Sequence, residues 1–268
     1  MSRVVPLLLG VLLFCPPALA QPVPALHAGY DVYAAGLDVA QVGAAFDIGA
    51  ARYQVRLAYH TSGLIGFFYR GHQLNTVEGV WNAGQPAPQE FYGTGVWGGE
   101  DRLTVIDYQR GQPLIRQLVP PQASEREPVP PQLQNNSVDT LSALALVLHR
   151  VADTGGCDVS VHTYDGRRAS EINAHTAGWE TLLPTGRSIF SGSALRCDFV
   201  GQMLAGFKFS DDDAADRRPL HGTAWIAAVT PGGPQVPVRM RFETRWFGEA
   251  TMFLTQLGPQ TPAQLAAH

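Results

Sequence analysis

Lysine is nearly missing from this chain: of 19 basic residues only Lys208 is not arginine, and charged residues are 16% of the 268. Soluble domains average about 25%. The formal net charge is −4, so the sequence carries no basic footprint for a nucleic-acid backbone. Beyond residue 14 no apolar run approaches the ~18–20 residues that cross a bilayer as a helix, which leaves membrane contact peripheral at most. No H-E-x-x-H spacing exists among the eight histidines, no serine lies in G-x-S-x-G, and no C-x-x-C occurs. Those absences remove the zinc-protease helix, the hydrolase nucleophile elbow and the thioredoxin-type redox motif. No metal ligand set and no cofactor are expected.

What is present begins at the N-terminus. Arg3, the apolar run at 4–14 and Ala18-Leu19-Ala20 before Gln21 have the charged, hydrophobic and small-residue regions of a secretory signal. Residues 1–20 therefore read as a signal peptide and 21–268 as a single β-rich periplasmic domain, with a net charge of −5 once Arg3 leaves. Cys15 follows Leu12-Leu13-Phe14 as a lipidated cysteine follows its signal, but such signals want a small residue where Phe14 stands, and Pro16 comes next. Cleavage after Ala20 is the expectation. It removes Cys15 and leaves Cys157 and Cys197 in an oxidising compartment, where they read as one structural disulfide. A redox-active pair is the alternative, against which stands the lack of a C-x-x-C context that would depress a thiol pKa.

From Tyr30 to Leu118 the pattern has period two: Tyr53, Val55, Leu57 and Tyr59 alternate with Gln54, Arg56, Ala58 and His60. Recurrent glycines supply turns and bends. The stretch 119–131 holds prolines at 120, 121, 128, 130 and 131, which bars ladder pairing and marks a surface connection between two β-rich halves. A helix is expected over about 139–152. Leu141, Leu144, Leu148 and Val151 share one face, Asp139 can cap the start, and Gly155-Gly156 stops it. Strands resume at Val159, with Asp165-Gly166 as a two-residue hairpin turn and Arg167-Arg168 opening the return strand. Further strands are expected at 188–199, 222–230, 236–246 and 249–257. Strands joined by short turns are antiparallel. So many in one sheet must curl, giving an all-β fold: a curled antiparallel sheet, half-barrel or spiral, with one packed α-helix.

Three candidates for chemistry reduce to structure. Gly93-Thr94-Gly95-Val96-Trp97-Gly98 spells G-x-G-x-x-G, yet that pattern cradles a dinucleotide only where a helix follows, and here a strand does. Asp211, Asp212, Asp213 and Asp216 lack calcium-loop spacing and adjoin Arg217-Arg218, as a solvated loop would. Arg167 and Arg168 at the hairpin offer contact to an anionic partner such as a lipid headgroup, or else belong to a plain solvated turn.

Several short motifs occur together: Gly29-Tyr30-Asp31-Val32-Tyr33, Thr61-Ser62-Gly63-Leu64-Ile65-Gly66, Asp139-Thr140-Leu141-Ser142-Ala143, Tyr164-Asp165-Gly166-Arg167-Arg168, Ser191-Gly192-Ser193-Ala194-Leu195-Arg196-Cys197 and Val236-Pro237-Val238-Arg239. In this order they resemble the bacterial exported family called domain of unknown function 3108. The resemblance implies a fold and a place, similar in outline to periplasmic β-spiral envelope proteins and to half-barrel lipoprotein carriers. It brings no catalytic residues.

The expected function is non-enzymatic binding or scaffolding in the cell envelope, with an unknown lipid, lipoprotein or protein as partner. The concave sheet face around Tyr53, Val55, Leu57, Tyr59 and Phe242 is the expected contact. A carrier of an acyl chain in an apolar groove and an envelope hydrolase or transferase without a recognisable motif are the alternatives.

Overall fold

A computed structural model describes residues 26–63, 66, 71–209, 217–244 and 248–259. The expected signal segment with Cys15 and the acidic run at 211–216 lie outside the described residues. Seven strands come first: β1 (Leu26–Ala34), β2 (Leu37–Ile48), β3 (Arg52–Thr61), β4 (Gly71–Asn82), β5 (Gln85–Trp97), β6 (Glu100–Gln109) and β7 (Gln112–Val119). A 3-10 turn at Gln122–Ser124, a one-turn helix α1 (Pro131–Gln134) and a long helix α2 (Thr140–Thr154) follow. Then come β8 (Val159–Tyr164), β9 (Ala169–Leu182), β10 (Gly192–Ala205), β11 (Leu220–Ala228), β12 (Gln235–Thr244) and β13 (Gly248–Pro259).

All thirteen form one antiparallel sheet in the order β7-β6-β5-β4-β3-β2-β1-β13-β12-β11-β10-β9-β8. Each strand pairs with its chain neighbour except at one place, where β1 pairs with β13 through Leu26↔Pro259 to Ala34↔Ala250. That contact joins the two halves. The sheet curls into a nearly closed barrel whose free edges, β7 and β8, face each other across a seam.

The proline-rich stretch does more than connect. Glu127 N donates to Phe207 O and Phe209 N to Glu125 O, so the chain straps across the seam, with Val129 buried against Tyr164, Ala169 and Ala205. Prolines favour this path because each removes a donor that a strap lying outside the ladder could not satisfy.

Helix α2 matches its sequence signals, running from Thr140 to Thr154 rather than 139–152. Asp139 accepts from Ser142 N, and Gly155 closes the helix at φ 72°. Leu141, Leu148 and Val151 enter the main core. Each such burial contributes roughly 1.5–3 kcal/mol. The helix lies inside the barrel, packed against β3, β4, β5, β8 and β12. His149 stacks on Trp81 at 4.1 Å, while the Trp81 indole donates to Gly49 O. Just beyond the helix Cys157 is bonded to Cys197 on β10, with Cα atoms 6.1 Å apart, inside the range a disulfide tolerates.

Candidate functional site

The helix divides the barrel interior into two levels. At its own level the inward side chains of every nearby strand are sealed: Tyr53, Val55, Val77, Ile106, Val238 and Leu254 are each at most 2% exposed. One or two steps further along the same strands the inward positions become half-buried, as at Leu57 and Tyr59 on β3, Met240 and Phe242 on β12, Met252 on β13 and Phe199 on β10. Directly opposed pairs share a face, so Val42↔Tyr59 and Met240↔Met252 stand on the same wall as the buried core. One end is therefore closed by α2; beyond it Val32, Ala34 and Ala250 stay buried in a second small cluster with Phe242 and Met252, and the rest of the apolar wall, at Leu57, Tyr59, Met240 and Phe199, is partly open to solvent. The expected concave face splits accordingly: Tyr53 and Val55 are covered by the helix, and only Leu57, Tyr59 and Phe242 remain available. Alternation identified the inward face but could not tell which part of it a helix 80 residues later would occupy.

A short polar ladder crosses the half-open wall. Tyr59 OH donates to Gln73 Oε1 at 3.0 Å, and Gln73 Nε2 donates to Asn75 Oδ1 at 2.8 Å. Burial pushes the Tyr59 phenol up, opposed by the positive charge of Arg168.

The β8–β9 connection differs from the expected two-residue hairpin. It is a four-residue turn, Asp165 to Arg168, because the Asp165 side chain organises it: Oδ1 accepts from Arg167 N at 2.9 Å and from Arg168 N at 2.7 Å. Such an Asx turn competes with ladder pairing, so the return strand starts at Ala169. Gly166 does adopt positive φ, 88°. Arg167 is not a solvated turn residue and not an open anion contact. Its side chain is 12% exposed, pairs with Glu125 at 3.1 Å and donates to Val119 O at 2.7 Å across the seam. Arg168 is paired with Asp165, Nη2 to Oδ2 2.6 Å.

Asp139, Ser142 and Tyr53 form a buried chain, with Ser142 Oγ donating to Asp139 Oδ2 at 2.5 Å and lying 2.8 Å from Tyr53 OH. The residue types suit nucleophilic chemistry, but Asp139 and Ser142 are both fully buried and the hydroxyl has no room for a substrate. Its role is to seat the helix. The G-x-G-x-x-G stretch runs along β5 into the turn at Gly98 and Gly99, both at positive φ, and β6 follows it. Among the described residues no three His, Cys, Asp or Glu side chains are placed to hold a metal ion, and no helix is long and apolar enough to cross a membrane.

A second concavity, of about 380 Å³, lies on β9 to β13 and is lined by His175, Arg196, Asp198, His221, Arg241 and Glu243 among others. Arg196 grips Asp198 with two bonds of 3.0 Å, and Thr223 donates to the same carboxylate at 2.7 Å. Burial pushes the Asp198 carboxyl up, yet these partners outweigh it and hold it below the ordinary carboxylate range. The sequence offered no signal for this groove, whose residues come from five strands.

The fold and this arrangement define a class: a barrel-like antiparallel β protein closed at one end by an internal helix. A crystal structure of a beta-barrel-like protein of domain of unknown function DUF1849 from Brucella abortus is similar, with TM-score 0.50 and 11% identity over 90% of this chain and 99% of that one. That likeness concerns the fold. The chain belongs to the family described as protein of unknown function DUF3108, whose model matches residues 29–255. Among curated proteins none matches.

Proposed function

We propose that this is an exported, non-enzymatic binding protein of the bacterial cell envelope, which takes an apolar chain of a lipid or lipoprotein against the inner wall beyond α2. The observation that carries the reading is the change along single strands from sealed to half-open: Val55 is wholly buried while Leu57 and Tyr59, on the same face, are not. Apolar wall left to solvent is costly at ~25 cal/mol per Å², and a contiguous patch of it marks a contact surface. The secretory pattern at 1–20 and the Cys157–Cys197 bond agree with an oxidising compartment.

The test is purification from the periplasm under mild conditions, with mass spectrometry of co-purifying lipids and of cross-linked proteins. Met252→Glu or Leu57→Glu, each kept only if it folds, should lower the recovered acyl species several-fold. Turnover of peptidoglycan or an ester that one substitution abolishes would replace this reading with an enzymatic one. Absence of any co-purifying species would leave scaffolding.

A further inference from the structure

The outer face of the barrel carries an unusual row. Register aligns Arg196↔Trp225, Trp225↔Arg239, Arg239↔Phe253 and Phe253↔Asp31 across β10, β11, β12, β13 and β1. These alternate with the inward Val238 and Leu254, so they share the face away from the core. On that face arginines and rings interleave, with Asp31 at the β1 end and Trp225 itself buried to 6% exposure beneath its neighbours. The Arg239 Cζ lies 5.2 Å from the Phe253 centroid and 5.9 Å from Trp225, and Arg241 lies 5.8 Å from Trp225 on the same side. Phe253 meets Tyr33 edge-on at 6.0 Å, and Arg187 covers Tyr33 at 4.2 Å. The ladder runs Arg187, Tyr33, Phe253, Arg239, Trp225, Arg241.

The charges in this ladder do not balance. Arg239 makes no ion pair or hydrogen bond among the described residues, and its Nε is buried with no partner. An orphaned buried donor is destabilising unless something supplies an acceptor. The carboxylate whose field reaches Arg239 is Glu180, but Glu180 Oε2 already accepts from the Trp225 indole at 3.0 Å. Arg187 reaches only a backbone oxygen, that of Gly36, at 3.5 Å. Its loop is fixed, since Ile189 N and Ser188 Oγ both donate to Leu254 O. Arg241 has a loose, exposed contact with Glu249 at 3.5 Å. Arg196 is neutralised by Asp198. On a chain of net charge −4, Arg187 and Arg239 thus stand on one face with no carboxylate partner among the described residues, and Arg241 beside them is only loosely paired.

We infer that the Arg187–Arg239–Arg241 face is a binding site for a phosphate-bearing anion. The rings hold one side of the Arg187 and Arg239 guanidinium groups and leave their Nη donors without a carboxylate partner, the groups from which phosphate and carboxylate oxygens accept. A phosphate suits this face better than a carboxylate does, because its larger charge is attracted by the neighbouring guanidinium groups as well as by the one it contacts. The site stands on the opposite face of the sheet from the proposed acyl contact, so either reading can fail without the other.

The experiment uses the full mature chain. Pyrophosphate is titrated against tryptophan fluorescence, and sedimentation is measured with phosphatidylglycerol vesicles and with phosphatidylcholine vesicles. Binding in either anionic arm, weakened at least tenfold by Arg239→Gln and by Arg187→Gln and unchanged by Arg116→Gln on β7, supports the site. Pyrophosphate binding alone assigns a soluble phosphate ester, and phosphatidylglycerol binding alone assigns a lipid headgroup. Should Arg239→Gln misfold, Arg187→Gln on its surface loop still decides. No binding in either arm, or binding that folded variants leave intact, overturns the proposal.

Discussion

Arg167 and Glu125 meet across the seam of the barrel, Nη1 to Oε2 3.1 Å, and the other side of the same carboxylate is held by Arg102 of β6 at 2.6 Å. One acid on the strap thus ties the edge reached through β7 to the β8–β9 turn. Glu125 is 24% exposed and Arg167 12%, so screening is partial. Removing the acid leaves two arginines facing each other. Glu125→Ala should cost about 2 kcal/mol, below the value for a fully buried pair because water still reaches the site. Urea unfolding measures it. Arg116→Ala on β7, by contrast, removes a pair with Asp107 in which the arginine is 65% exposed, and should stay within about 0.5 kcal/mol. Equal effects for the two variants would mean the seam is not closed by this contact.

Gly206 is a tighter constraint than the hairpin glycine. At φ 83° an added Cβ would stand 2.0 Å from Arg167 O, whereas at Gly166, φ 88°, it would stand 3.0 Å from a Thr104 methyl. Backbone cannot yield as a methyl can. Gly206→Ala should therefore lower stability by more than about 2 kcal/mol, and Gly166→Ala by about 1 kcal/mol, mostly the cost of a left-handed residue. Thermal unfolding of both variants orders them, and the reverse order would refute the assignment.

Much of the architecture was legible because its signals are local. Alternation at Tyr53 to Tyr59 marked the inward face, and Asp139, the leucine stripe and Gly155 bounded the helix. What escaped depends on partners distant in the chain. The apolar stripe of α2 says that a surface covers it, but not that the surface is the inside of a barrel. Pairing of Arg167 with Glu125 spans 42 residues, and the Arg239–Phe253–Tyr33 row exists only because β1 returns to β13. The misjudged hairpin was a competition between local signals: Asp-Gly favours a two-residue turn, but the Asp165 carboxylate captures the backbone donors of Arg167 and Arg168.

The Cys157–Cys197 bond closes a loop of 40 residues. In the chain-entropy model such a loop is worth about 4 kcal/mol through the unfolded chain. It also fixes the segment after α2 to β10, so its loss should free the helix from the barrel floor. The Cys157→Ser, Cys197→Ser double variant should unfold at clearly lower urea. Amide exchange should rise in α2 before it rises in β1 and β13. Uniform exchange across the barrel would show that the bond stabilises the whole and not the floor.

Asp139 couples stability to pH in a direction opposite to most carboxylates. Burial pushes its carboxyl up from 3.8 to about 6, even though its hydrogen bonds from Ser142 oppose the shift. A group whose folded pKa exceeds its unfolded value stabilises the protein below both values and loses that contribution as pH rises through the folded one. The window here is about pH 4 to 6, and a difference of about two units corresponds to about 3 kcal/mol. At pH 7 the ionised Asp139 is thus a burden that the fold carries. Asp139→Asn removes the charge but keeps a good helix cap. Its oxygen can still accept from Ser142 N, and its amide can donate to Ser142 Oγ, which then donates to Tyr53. The Asn variant should be more stable than the natural chain at pH 7, by up to about 3 kcal/mol, with the difference vanishing near pH 4. Asp139→Ala, which loses the cap, should be less stable than Asn at every pH by about 1 kcal/mol. Urea midpoints across pH 4 to 8 decide the matter, and an Asn variant no more stable than the natural chain at pH 7 would show that the carboxyl is not strained in its buried seat.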